Sequence, residues 1–73
     1  MKLPADLSGA DLRKALEKIG FVFRRQKGSH MIFRRESPYS RVVVPDHRRL
    51  RPGTLRQILH EAGISPEDLK KLL

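Results

Sequence analysis

The 73-residue chain has no cysteine and no tryptophan, and its aromatics are three Phe and one Tyr. Without thiols there is neither a disulfide framework nor a thiolate zinc site, which suits a reducing cytoplasm. Long apolar runs are also missing. No stretch nears the ~20 apolar residues of a membrane-spanning helix, and Met1 to Ala10 has no signal-peptide-like core. No membrane association is expected. The sequence has no GxxxxGK phosphate loop, no histidine pair at metal-ligating spacing, and no acidic cluster suited to magnesium. Neither a metal nor a cofactor is expected.

Acidic residues are scarce where basic ones are dense. Between residues 21 and 60 stand Arg24, Arg25, Lys27, Arg34, Arg35, Arg41, Arg48, Arg49, Arg51 and Arg56, against only Glu36 and Asp46. That surplus equals the whole net charge of +8, and the flanking segments cancel. A field so uneven points to a polyanion partner. Nearly all of these cations are arginine, whose planar fork matches phosphate better than a lysine ammonium does.

The length suits a single domain, residues 1–73, with a modest core. Ser8 and Asp11 form a shortened capping box ahead of Leu12, Ala15, Leu16 and Ile19, which recur at helical spacing up to Gly20. Phe21–Lys27, His30–Arg35 and Arg41–Val44 read as three strands. Gly28-Ser29 and Glu36-Ser37-Pro38-Tyr39 are the turns between them. Connections this short predict an antiparallel meander. After a basic loop from Pro45 to Pro52, Gly53 or Thr54 opens a second helix with Leu55, Ile58, Leu59 and Ala62 on one face, ending at Gly63. Ser65-Pro66-Glu67-Asp68 starts a third helix, with Leu69, Leu72 and Leu73 as its apolar side. The expected class is α+β, in the order α-β-β-β-α plus a short C-terminal helix, with the long helices on one sheet face. This is the architecture of the double-stranded RNA-binding domain.

Strand alternation places Met31 and Phe33 on one face and His30, Ile32 and Arg34 on the other. With Met31 and Phe33 in the core, His30 points outward among cations. Histidine moves protons near neutral pH. The turn before it, Gly28-Ser29, allows close backbone approach and offers N–H groups to an anion. The alternative is an ordinary surface histidine. His47, in the basic loop, is an exposed loop residue, a second acid/base group or a phosphate contact, and His60 lies on a polar helix side. Phe21 and Phe23 read as core rather than as base-stacking platforms, which leaves Tyr39 as the stacking candidate. Arg48, Arg49 and Arg51 are either a solvated loop or a phosphate clamp near the second helix's N-terminus.

These residues resemble the HicA family of toxin ribonucleases from type II toxin–antitoxin pairs. The resemblance runs from Ser8-Gly9 and Leu12 through Gly20-Phe21, Gly28-Ser29-His30 and Val44-Pro45. It ends with Pro52-Gly53-Thr54-Leu55-Arg56, Ile58-Leu59 and Ala62-Gly63-Ile64. It implies the same fold, metal-independent cleavage of mRNA, His30 as the catalytic residue, and a HicB-like antitoxin as partner. The family often has a second histidine directly after the first; here that position is Met31. Arg24, Arg25, Lys27, Gly28, Ser29, Arg34, Arg48, Arg49 and Arg51 are the candidate RNA contacts. The competing readings are a non-catalytic double-stranded RNA-binding module and an accessory subunit that binds only protein.

Overall fold

Ser8 starts the first helix by a reciprocal exchange. Its hydroxyl accepts from the Asp11 N–H at 3.0 Å, and the Asp11 carboxylate accepts from the Ser8 N–H at 3.2 Å. Two orphan donors of the helix start are thereby satisfied. The computed structural model describes residues 3, 4 and 6–73. Helix α1 spans Gly9–Lys18, and strands β1 (Val22–Lys27), β2 (His30–Glu36) and β3 (Tyr39–Pro45) follow. Helices α2 (Pro52–Ala62) and α3 (Pro66–Leu72) complete the order. The expected α+β class and the three-stranded antiparallel sheet, ordered β1-β2-β3, are present. The fold is of the double-stranded RNA-binding-domain type, with helices before and after an open sheet.

Helix α2 begins at Pro52, one or two residues before the expected Gly53 or Thr54. Proline suits the first helical position because its missing N–H would have no partner there. Strand β3 extends beyond the expected Arg41–Val44, taking in Tyr39 opposite Glu36 and Pro45 opposite His30. Leu73 is exposed rather than apolar-side, since α3 ends at Leu72.

One sheet face is buried. Met31, Phe33, Val42 and Val44 pack with Phe21 against Leu12, Ala15 and Leu16 of α1 and Leu55, Ile58 and Leu59 of α2. Each large side chain so buried stabilises by roughly 1.5–3 kcal/mol relative to exposure. Leu69 of α3 joins this core, and Lys18 Nζ donates to the Leu72 carbonyl at 2.7 Å, tying α3 to α1.

The loop between β3 and α2 is held against the start of α1. Gly9 N–H donates to the His47 carbonyl at 2.9 Å, and Leu50 N–H to the Leu7 carbonyl at 2.8 Å. The approach is so close that a Cβ on Gly9 would lie 2.2 Å from the Pro45 carbonyl oxygen. Gly9→Ala therefore forces α1 and the loop apart. Overpacking of this kind costs about 1–3 kcal/mol, and a thermal melt should show the corresponding fall in Tm.

A second capping box opens α3, where Ser65 and Asp68 exchange hydrogen bonds at 3.1 Å each. The Ser65 backbone N–H, then its hydroxyl, hold the Asp68 carboxyl below its ordinary value, with a smaller contribution from Lys71. A depressed carboxyl contributes stability above its unfolded pKa and loses it as pH falls through the folded one. The stability gap between wild type and Asp68→Asn, which removes the titrating carboxylate, is expected to be full at neutral pH. It should shrink below about pH 4 in denaturant titrations.

Candidate nucleic-acid interface

Lys27 and His30 face each other across the two-residue turn Gly28-Ser29. Gly28 has a φ of 59°, and Ser29 is not in the positive region. A positive φ at the first central position alone is the type II′ pattern, which favours glycine and matches strand twist. The Ser29 carbonyl accepts from the Asp46 N–H at 2.6 Å, docking the turn onto the β3–α2 loop. Gln26 Nε2 reinforces this dock through the Asp46 carboxylate at 3.3 Å and the Gly28 carbonyl at 3.0 Å. His30 thus heads β2 on a braced hairpin, exposed, on the face away from the helices.

Met31 and Phe33 are buried on the helix side, as alternation requires, which leaves His30, Ile32 and Arg34 on the open face. In β1 the pairing register shifts between Phe23 and Arg25. This bulge keeps Phe23 opposite Phe33 on the core side yet sets Arg25 opposite Ile32 and Lys27 opposite His30 on the open side. Without the extra residue Arg24, Arg25 and Lys27 would share the face of Phe23. The bulge thus delivers Lys27 to His30.

The open face has two centres. One is His30 with Lys27 and Pro45 at the hairpin end. The other is a shallow basin of about 330 Å³ lined by Arg24, Arg25, Ile32, Arg34, Tyr39 and Arg41. Arg34 lies four residues along β2 from His30, which at the rise of a strand is ~13 Å. Arg34 therefore shares His30's face without adjoining it. Its Nε is 2.9 Å from Glu36 Oε1, an ionic contact without hydrogen-bond alignment.

The other sequence-stretch cations separate in the same way. Arg35 turns to the helix side, its guanidinium 4.6 Å from the centroid of Phe21. It donates to the carbonyls of Pro38 (3.0 Å), Ile19 (3.5 Å) and Ala62 (3.3 Å). This is a structural clamp on the end of α2. Arg49 is ion-paired with Asp6. Arg48, Arg49 and Arg51 are exposed in the loop with His47, and a separate depression there is lined by Pro45, His47, Arg49, Arg51 and Thr54. Because Pro45 pairs with His30, this loop adjoins the hairpin end of the open face. Phe21 is buried and Phe23 half-buried, packed edge-to-face on Phe33 under Arg13, so neither reaches the open face.

The residues that the sequence reading underweights are Tyr39 and Arg41. Arg41 pairs directly with Arg34, and Tyr39 with Glu36. A two-residue second turn would have shown this register. Among the described residues no three His, Asp or Glu side chains gather as a metal site. Nor is any described helix long and apolar enough to cross a membrane.

Comparison with known families is decisive on one point. The family model described as HicA toxin of bacterial toxin–antitoxin matches residues 9–64, most of the chain. The chain belongs to the HicA toxin family. This HicA-family protein is accordingly the toxin component of a toxin–antitoxin system, and an antitoxin is its implied counterpart. No curated protein matches the chain.

Arg35 supplies a check on how the cations divide. Arg35→Ala removes three carbonyl partners and a ring contact, with an expected loss of about 1–3 kcal/mol of stability. A chemical-denaturation curve should show this loss. Should the open face hold a polyanion, the salt dependence of that binding should not change, because the Arg35 guanidinium points away from that face.

Proposed function

We propose that this HicA-family toxin is an endoribonuclease that cleaves mRNA through the RNA's own 2′-hydroxyl, with His30 as the acid/base group. The observation that supports this most is the position of His30. It is exposed at the head of β2, on a hairpin braced by Asp46, with Lys27 directly across from it.

His30 takes the proton of the 2′-hydroxyl as that oxygen attacks the adjacent phosphorus. The O2′–P bond forms and the P–O5′ bond breaks, leaving a 2′,3′-cyclic phosphate and a 5′-hydroxyl. Water supplies the proton to the departing 5′-oxygen, since the neighbouring strand position is the buried Met31, and the His30 imidazolium then neutralises the hydroxide left behind, restoring both. Lys27 and the turn N–H groups of Gly28 and Ser29 stabilise charge developing on the phosphate. Arg24, Arg25, Arg34, Arg48, Arg49 and Arg51 supply the wider field that holds the polyanion. Because the RNA's own 2′-hydroxyl is the nucleophile, the proposed reaction calls for no metal-bound water, and the EDTA experiment below tests this. A HicB-like antitoxin with an acidic contact surface would mask the His30 face, because opposite potentials speed association and fix orientation.

A second reading, RNA binding without cleavage, is favoured by the distance between the arginine basin and His30. One experiment separates the two. Purified protein and its His30→Ala form are incubated with a long single-stranded RNA in EDTA. Cleavage by the wild type, reduced ~10²-fold or more in His30→Ala and blocked by 2′-deoxy substitution at the scissile nucleotide, is the expected result. Equal cleavage by a folded His30→Ala protein removes His30 from the mechanism. Binding without cleavage by either protein establishes the second reading.

A further inference from the structure

We infer that the basin at the far end of the open sheet is a single-stranded RNA subsite, with Tyr39 as a base-stacking platform and Arg24, Arg25 and Arg41 as phosphate contacts. The inference deepens the proposed function and rests on it only for the place of the scissile bond.

Tyr39 is the most solvent-exposed large apolar side chain of the sheet, at 65%, although it stands within a paired strand. Half-exposed aromatic rings on a sheet face are stacking surfaces for unpaired bases, since every base has a π-face. Around Tyr39 the basin presents cations in excess. Arg34 is compensated by Glu36, while Arg24, Arg25 and Arg41 enter no ion pair among the described residues. Ile32 floors the basin between them. The bulge at Arg24 puts two successive arginines on one rim, an arrangement that strict alternation forbids.

Distance sets the relation to the proposed chemistry. The Arg34–Arg41 pair is ~13 Å along the strands from His30, and Tyr39 a further two residues out, ~20 Å. A stacked strand covers ~13 Å in about four nucleotides and an extended one in fewer. Arg41 and Tyr39 therefore grip RNA several nucleotides from the scissile phosphate, as positioning contacts rather than part of the reaction, while Arg25, opposite Ile32 and ~7 Å along the strands from His30, holds the phosphates between. Cations flanking one exposed ring match the alternation of phosphate and base along unpaired RNA, and the salt and stacking tests below separate this from an acidic protein partner.

The test uses fluorescence anisotropy with a 2′-O-methyl single-stranded 12-mer, which cannot be cleaved through its 2′ oxygen. Tyr39→Ala should weaken binding about tenfold, the size of one lost base stack, while Tyr39→Phe should bind like wild type. Arg24→Ala and Arg41→Ala should each flatten the log–log salt dependence by about 0.7. Thermal melts check that all variants fold. With cleavable RNA, Tyr39→Ala should raise KM for long RNA with kcat little changed, as expected for uniform binding. A trinucleotide too short to reach Tyr39 should show no difference between the two proteins.

Wild-type affinity in Tyr39→Ala and Arg41→Ala overturns the subsite. So does a 12-base-pair duplex that binds as tightly and loses as much in the same variants, because the site would then read duplex shape. Retained RNA affinity with loss of an acidic antitoxin's binding also overturns it, as the face would be a protein interface. Lost affinity in Tyr39→Ala, alongside cleavage that is absent or independent of His30, upholds the subsite while refuting the proposed chemistry.

Discussion

Burial of one side of a three-stranded sheet is the constraint on which the rest of this molecule depends. Phe33, Met31, Val42 and Val44 are withdrawn from water against the apolar faces of α1 and α2. Side chains alternate along a strand, so commitment of those residues to the core sends their neighbours to the opposite surface. His30, Ile32, Arg34, Arg41 and Val43 are exposed or half-exposed for that reason. The hydrophobic effect is non-directional, yet through the pleat it becomes a device for presenting charge.

Once the core is formed, the high positive charge divides into distinct uses. Arg35 reaches back over Phe21 and satisfies carbonyls near the end of α2. Arg13 covers Phe23 and contacts Glu17. Arg49 and Arg34 have carboxylate neighbours. These contacts consume part of the field that composition alone assigns to a polyanion. Of the cations without a carboxylate partner among the described residues, Arg24, Arg25, Arg41 and Lys27 lie on the open face, arranged by strand register rather than by sequence proximity, while Arg48 and Arg51 stand exposed in the adjoining loop.

Rigidity at the hairpin end comes from backbone contacts. The Gly28-Ser29 turn is docked on Asp46, and the following loop is pinned to the start of α1 by Gly9 and Leu7. The acid/base role proposed for His30 calls for a position held by its surroundings. Here a histidine on a short exposed hairpin gains that support from two elements distant in sequence. Gly9 is part of the same support, because only a residue without Cβ allows α1 to meet Pro45.

Local signals carried much of the architecture. The capping residues Ser8 and Ser65, the helical spacing of Leu12, Ala15 and Leu16, and the Gly28-Ser29 turn act within a few residues, so the sequence by itself determined the elements, their order and the outward direction of His30. The bulge was only half legible. Phe23 and Lys27 share strand parity, yet one belongs to the core and the other opposite His30, which requires an inserted residue between them. Its place at Arg24 was decided in the folded sheet, by competition between core packing of Phe23 and the hairpin register. Tertiary structure alone gave Arg35 the Phe21 ring and the carbonyls of Ile19 and Ala62 as partners, and docked the Gly28-Ser29 turn on Asp46. The physical reason is that cross-strand pairing and helix packing join residues far apart in the chain, and no local preference encodes which cation meets a ring, a carbonyl or solvent.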